Sequence, residues 1–230
     1  MDEETQAVAA RLVRRLKEAN WTISIAESCT GGLLASTMTD IAGASEWFTH
    51  SWVTYSNEAK AQQLHIPEKL LKKDGAVSAM VAIEMAKGAL KNCEADVALS
   101  ITGIAGPVSD DTEKPVGLVF VGIATRHWAN AGSFQTGGTK RNENKQSFVH
   151  FALRYAIECW DKAQERAREA AEEAQADADR QAAELARQEV ERSKREAAAR
   201  SASPWQDEAW SEDSGKGHLG EQEVHWSNEE

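Results

Sequence analysis

Between Asp161 and Arg200 the chain has no glycine and no proline, and 13 of these 40 residues are alanine. Glu, Arg, Gln and Lys fill most of the rest, so nearly every position favours a helix. Pairs such as Glu191/Arg195 and Glu196/Arg200 stand four apart in the favourable orientation, each worth about 0.3 kcal/mol. The only larger aliphatic residues are Leu185 and Val190, too few for a heptad seam. The expectation is a solvated, charge-laced helix continuing the last helix of a domain; a weak Ala-rich coiled coil is the alternative. A hydrophobic core is therefore confined to the part of the chain before Asp161. The organisation expected is a domain over 1–160, an extended helix over 161–200 and a tail over 201–230. The tail holds eight acidic residues against one basic, with Trp205, Trp210 and Trp226. It is expected to be disordered, with a short partner-binding motif as the alternative.

Before Asp161 helical and strand patterns alternate. Val8, Leu12, Val13 and Leu16 stand at helical spacing. Thr22–Ala26 is a short β-prone run, and Gly31-Gly32 then turns into an apolar helix over Leu33–Met38. Phe48–Tyr55 is aromatic and β-branched, which predicts a strand. Helices are expected over Asn57–Leu64, after Pro67, and over Ser78–Leu90 with Ser78 as its cap. Val97–Ile101 and Val116–Thr125 read as buried strands. Such alternation predicts a layered α/β domain.

Charge narrows the function. The net charge is −11, and most of it falls after Trp160, which leaves the domain before it near neutral. Such a chain has no general attraction for a phosphate backbone, so direct nucleic-acid binding is not expected. No apolar run approaches the ~20 residues needed to span a bilayer. The start, MDEETQAV, does not read as a signal peptide. Three widely spaced cysteines, Cys29, Cys93 and Cys159, make neither a disulfide framework nor a zinc site. A cytoplasmic protein is expected.

Four clusters carry chemistry. Ala26-Glu27-Ser28-Cys29-Thr30-Gly31-Gly32 lies between a strand and a helix, where a Ser or Cys projects from a turn and N–H groups can meet an oxyanion. Ser28 and Cys29 are both candidate nucleophiles. Tyr55-Ser56-Asn57 precedes Lys60, one turn into the next helix; a Lys acts as a base only if burial or a neighbouring cation lowers its pKa. Thr102-Gly103-Ile104-Ala105-Gly106-Pro107 follows a buried strand, where ligands collect in α/β sheets. Gly137-Gly138-Thr139-Lys140-Arg141 opens the last helix, and Arg141 suits a phosphate.

In these residues the chain resembles the CinA C-terminal domain family, which contains the nicotinamide-nucleotide amidases. The resemblance rests on AESCTGG at 26–32, VTYSNEAK at 53–60, GAVS at 75–78, TGIAGP at 102–107 and KPVG at 114–117, and it spans about residues 5–158. It implies a three-layer α/β/α sandwich and a serine amidase that converts nicotinamide mononucleotide and water to nicotinate mononucleotide and ammonia, without metal or organic cofactor. It implies Ser28, Tyr55 and Lys60 as catalytic residues. Thr30, Gly31, Ser45, Asn57, Thr102, Gly103 and Arg141 fall where the family lines its nucleotide pocket. The chain departs from the family at Ala42-Gly43-Ala44-Ser45, at Ser51, at Val108-Ser109-Asp110-Asp111, and by one extra residue before Arg141.

The mechanism expected has neutral Lys60 taking the Ser28 proton, directly or through Tyr55, with N–H groups near Thr30 and Gly31 as the oxyanion site. A homodimer is expected, without a membrane. The alternative reading is a weak or inactive module that binds a nucleotide, or binds a protein partner through the helix and tail.

Overall fold

A computed structural model of the chain describes residues 2–109 and 113–202. The chain divides into two units, Met1–Glu169 and Ala170–Glu230. The first unit holds helices α1 (Glu3–Ala19), α2 (Leu33–Thr39), α3 (Asn57–Leu64), α4 (Glu68–Asp74) and α5 (Ala79–Cys93), with strands β1 (Ile23–Glu27), β2 (Phe48–Val53), β3 (Val97–Gly103), β4 (Leu118–Thr125) and β5 (Ala129–Gln135). Helix α6 (Arg141–Ser201) begins in this unit and continues into the second. In the second unit residues 170–202 are exposed throughout, Leu185 and Val190 included. Glu191 pairs with Arg195 as its spacing predicts, while Glu196 pairs back to Arg192. The tail expected to be disordered lies, from residue 203 on, outside the described residues.

The strands form one sheet in the order β2-β1-β3-β4-β5. β1 runs parallel to both β2 and β3, whereas β4 is antiparallel to β3 and to β5. Each face of the sheet has its own core. Val97, Leu99 and Ile101 of β3 with Val119, Val121 and Ile123 of β4 pack under the apolar faces of α1, α2 and α6. The intervening Ala98 and Ala124 face α5 with Leu64, Leu71, Val81 and Met85. Large residues on one face and small ones on the other are the period-two signature of a sheet covered on both sides, which makes the domain an α/β/α sandwich.

The small face is explained by how near α5 comes. A side-chain carbon on Gly122 would collide with the backbone of Ala82. Ser100 donates its hydroxyl to the Ala82 carbonyl at 2.5 Å and accepts the Gly122 N–H at 3.2 Å. Helix and sheet thus meet backbone to backbone, with one hydroxyl as the spacer.

Most expected elements lie within a few residues of where the sequence puts them, and Ser78 caps α5 by accepting the Val81 N–H. The expected strand Phe48–Tyr55 stops at Val53, and the carbonyls of Thr54 and Tyr55 that follow accept from Lys60. The strand β5, ANAGSFQ, is absent from the sequence reading; it is a half-exposed edge with no alternating pattern.

Candidate active site

Parallel pairing brings three strand ends to one place. Glu27 of β1 stands opposite Val53 of β2 and Ile101 of β3. The next residues, Ser28, Thr54 and Thr102, therefore lie side by side beyond the carboxyl ends of the strands, where α/β sheets bind ligands. The Ser28 N–H bonds to the Ile101 carbonyl at 2.9 Å and the Thr54 N–H to the Glu27 carbonyl at 2.8 Å, so the ladder holds one step past each strand.

Ser56 then caps α3, its hydroxyl accepting the Ala59 N–H at 3.0 Å. Lys60 follows one turn later and points back beneath the strand ends. Its Nζ stands 3.0 Å from Ser28 Oγ and bonds to the carbonyls of Thr54 at 2.9 Å and Tyr55 at 3.2 Å. Lys60 is 1% exposed and has no carboxylate partner among the described residues. Burial disfavours the ammonium and pulls its pKa from 10.5 down to about 8. The geometry suits the neutral amine. Two N–H bonds go to the two carbonyls, and the lone pair is left for the Ser28 hydroxyl.

Cys29, the rival nucleophile, is 6% exposed. Burial pushes its thiol up to about 12, so it stays a thiol at neutral pH and packs in the core. It is the Ser28 hydroxyl that stands 3.0 Å from Lys60 Nζ.

The turn that presents Ser28 is fixed by Glu27. This buried carboxylate accepts the N–H groups of Gly32 at 3.0 Å, Leu34 at 3.1 Å and Ala35 at 2.8 Å, closing the N-terminus of α2 from the preceding strand. The Gly31 N–H is taken by the Ser28 carbonyl at 3.1 Å. The N–H groups near Thr30 and Gly31 expected to meet an oxyanion lie in this turn, and that of Gly31 is engaged in closing it. The hydroxyls of Thr30 and Thr54 are fully buried and have no partner among the described residues. Each such group costs about 1–3 kcal/mol.

The other expected residues take distinct places. Tyr55 is 58% exposed, and its hydroxyl accepts from Arg141 at 2.5 Å rather than meeting Ser28 or Lys60. Arg141 also donates to the Gly106 carbonyl at 2.7 Å, so it ties the end of β2 to the 102–107 loop. The Thr102 hydroxyl is spent on the Ala76 carbonyl at 2.8 Å. Gly103 makes room for the Leu118 carbonyl, which a Cβ would approach to 2.6 Å. Asn57 is exposed on the first turn of α3. Ser45 lies on a 3₁₀ turn, Ala44–Glu46, that feeds the start of β2, and it is exposed there. Because Phe48 pairs with Ile23, that turn lies at the end of the sheet opposite Ser28.

Two residues escaped the sequence reading. Asn144 is buried on the first turn of α6 and donates to the carbonyls of Ala105 and Gly138, both at 2.9 Å, while accepting from Thr136 at 2.6 Å. It pins the 102–107 loop to the helix. Lys145 follows it, with its Nζ 3.8 Å from where a Cβ on Gly31 would lie. No sequence pattern marked either residue, since Asn144 finds its partner at Ala105 only in the fold. Asp110 and Asp111 lie outside the described residues. Among the described residues no cluster of three or more His, Cys, Asp or Glu could hold a metal ion, and no helix is long and apolar enough to cross a membrane.

Comparison with known proteins follows the same outline. The family model for the CinA C-terminal domain matches residues 5–160. The nicotinamide-nucleotide amidohydrolase PncC of Escherichia coli K12 is 51% identical over 124 residues, covering 54% of this chain and 75% of that protein. A putative competence-damage inducible protein of Caldicellulosiruptor saccharolyticus is 44% identical over 137 residues, 60% of this chain. The chain spans about a third of the length of that relative, as of several others. Among solved structures, the competence/damage inducible protein CihA of Agrobacterium tumefaciens superposes with a TM-score of 0.66 at 37% identity, over 68% of this chain and 96% of that one. A CinA superfamily protein of Escherichia coli gives 0.65 at 29% identity, over 68% and 91%.

Proposed function

The chain belongs to the CinA C-terminal domain family, and from that membership we propose that it is an amidohydrolase acting on the carboxamide of nicotinamide mononucleotide, with Ser28 as nucleophile and Lys60 as base. One observation carries the reading: a serine hydroxyl 3.0 Å from a buried lysine whose other partners are two carbonyls. A surface lysine has no use for that arrangement, and a general base requires it.

Lys60 takes the Ser28 proton as Oγ attacks the carboxamide carbon. N–H groups of the turn near Thr30 and Gly31 would stabilise the developing oxyanion; losing one such donor costs about 3 kcal/mol of transition-state stabilisation. Lys60 then returns the proton to the departing nitrogen, and ammonia leaves a Ser28 ester. Water, deprotonated by the same amine, attacks the ester and releases the carboxylic acid with Ser28 restored. The Tyr55 hydroxyl, paired with Arg141, has no part in this transfer; Tyr55 contributes its carbonyl to Lys60 and its ring to the rim.

The test is ammonia release from nicotinamide mononucleotide by the purified protein. Turnover by the wild type should fall at least about 10³-fold in both Ser28→Ala and Lys60→Ala. Undiminished turnover in Ser28→Ala would refute the nucleophile. No turnover by a folded wild type would leave a binding module as the better account.

A further inference from the structure

At the end of the sheet away from Ser28, a groove opens between the β4–β5 turn, the residue before β1 and helix α6. It is lined by Trp21, Trp128 and Tyr155, with Cys159, Ala163 and Ala167, and it encloses about 480 Å³. That is room enough for a bound aromatic group. All of these residues belong to the first unit, and the three aromatic side chains are half-buried.

The aromatic residues are held in place by the fold. Trp21 meets Trp160 edge-on, with ring centroids 4.7 Å apart. Tyr155 stacks on Phe151 at 5.8 Å, and Phe151 on Phe134 at 5.3 Å. The Trp128 backbone is tied on both sides: its N–H bonds to the Thr125 hydroxyl at 3.2 Å, and its carbonyl accepts the Thr125 N–H at 2.8 Å. Walls set in advance reduce the ordering cost of binding. The charge has one sign. The lining includes Lys162 and Arg166 and no carboxylate. Lys162 is paired with Glu158 at 2.6 Å, whereas Arg166 makes no ion pair among the described residues. Trp, Tyr and Arg are the residue types that anchor interfaces.

The sequence supplies a matching segment. After Gly217 there is no Lys or Arg, and Glu221, Glu223, Glu229 and Glu230 surround Trp226. Its length is sufficient. Helix α6 runs 34 residues past Ala167 to Ser201, a span of at most about 51 Å. About fifteen extended residues, at ~3.4 Å each, cover that span. Trp226 stands 25 residues beyond Ser201, whereas Trp205 and Trp210 stand only 4 and 9.

We propose that the groove is a docking site for the chain's own segment Glu221–Glu230, with the Trp226 indole among the aromatic side chains and the glutamates against Arg166. The inference does not depend on the amidase reading.

The test is a titration, followed by fluorescence anisotropy, of a fluorescein-labelled peptide of residues 217–230 into the full chain carrying Trp226→Ala. The peptide should bind this chain, and the same peptide with Trp226→Ala should bind at least about tenfold more weakly, as on loss of an interface anchor. Arg166→Glu, added to the chain at an exposed position, should weaken binding about fivefold or more. In wild type the tethered segment competes at high effective concentration, so the peptide should bind at least about tenfold more weakly than to the Trp226→Ala chain. No binding to the Trp226→Ala chain, equal binding of the two peptides, or an affinity indifferent to Arg166→Glu overturns the proposal. Equal affinity for the wild-type and Trp226→Ala chains also overturns it, and would leave the groove to an acidic segment of another protein.

Discussion

At the scale of single residues the chemistry turns on how burial treats two adjacent groups. Burial makes Cys29 a poor acid, up at about 12, and Lys60 a poor base, down at about 8; the same desolvation penalises a thiolate and an ammonium alike. At pH 7 about a tenth of the enzyme then holds Lys60 as the free amine. kcat/KM for the mononucleotide should rise nearly tenfold per pH unit below pH 7 and level off above about 8. A profile flat from pH 6 to 9 would remove Lys60 as the base. The effect on stability has a definite sign. Lys60 binds its proton more weakly folded than unfolded, so stability rises with pH between about 8 and 10.5. Below that window the buried ammonium costs about 3 kcal/mol. The resemblance of AESCTGG and VTYSNEAK to the family implied Ser28 and Lys60 together, while the residue patterns alone placed each in its own cluster. Those patterns could not choose between Ser28 and Cys29, because thiol reactivity depends on burial. Nor could they find Asn144, whose partner at Ala105 is 39 residues away.

At the scale of elements the tightest joint is that between α5 and the sheet. Gly122 on β4 and Ser100 on β3 let the α5 backbone rest on the strands at Ala82. Gly122→Ala forces the two apart, and overpacking of this kind costs about 1–3 kcal/mol. The thermal midpoint should fall by several degrees, about 2–4 °C per kcal/mol. An unchanged midpoint would mean that α5 sits less closely than described. The helices were legible from apolar faces, Pro67 and the cap Ser78 of α5, while Ser56, the cap of α3, emerged only in the structure. β5 was not, since an edge strand over Tyr155 needs small residues, and Ala129, Ala131 and Gly132 read as a loop. The Ala-rich helix was the plainest feature in the sequence, and its residues from 170 on bury nothing. Intrinsic propensity and pairs such as Arg192–Glu196 support it.

At the scale of the whole α/β unit, direction of travel decides what meets what. β1, β2 and β3 all deliver their carboxyl ends to the Ser28 side, and the antiparallel β4 begins there. Layering could be read from alternating patterns. Strand order could not, because β1 pairs with β3, and Glu27 meets Ile101 only after the chain has passed through β2 and four helices. The opposite end of the sheet holds the connections at residues 20–22, 94–96 and 126–128. Arg126 and His127 are exposed there, at the tip of the β4–β5 hairpin. A short Gly-Ser peptide or a small tag inserted between Arg126 and His127 should leave ammonia release within about twofold of wild type, since loop lengthening is cheap. Loss of activity with an intact melting profile would show that the two ends communicate. The sheet thus has a polarity that an engineer can use. Everything that must stay fixed for the chemistry lies at one rim, and the other rim is open to handles, labels and fusions.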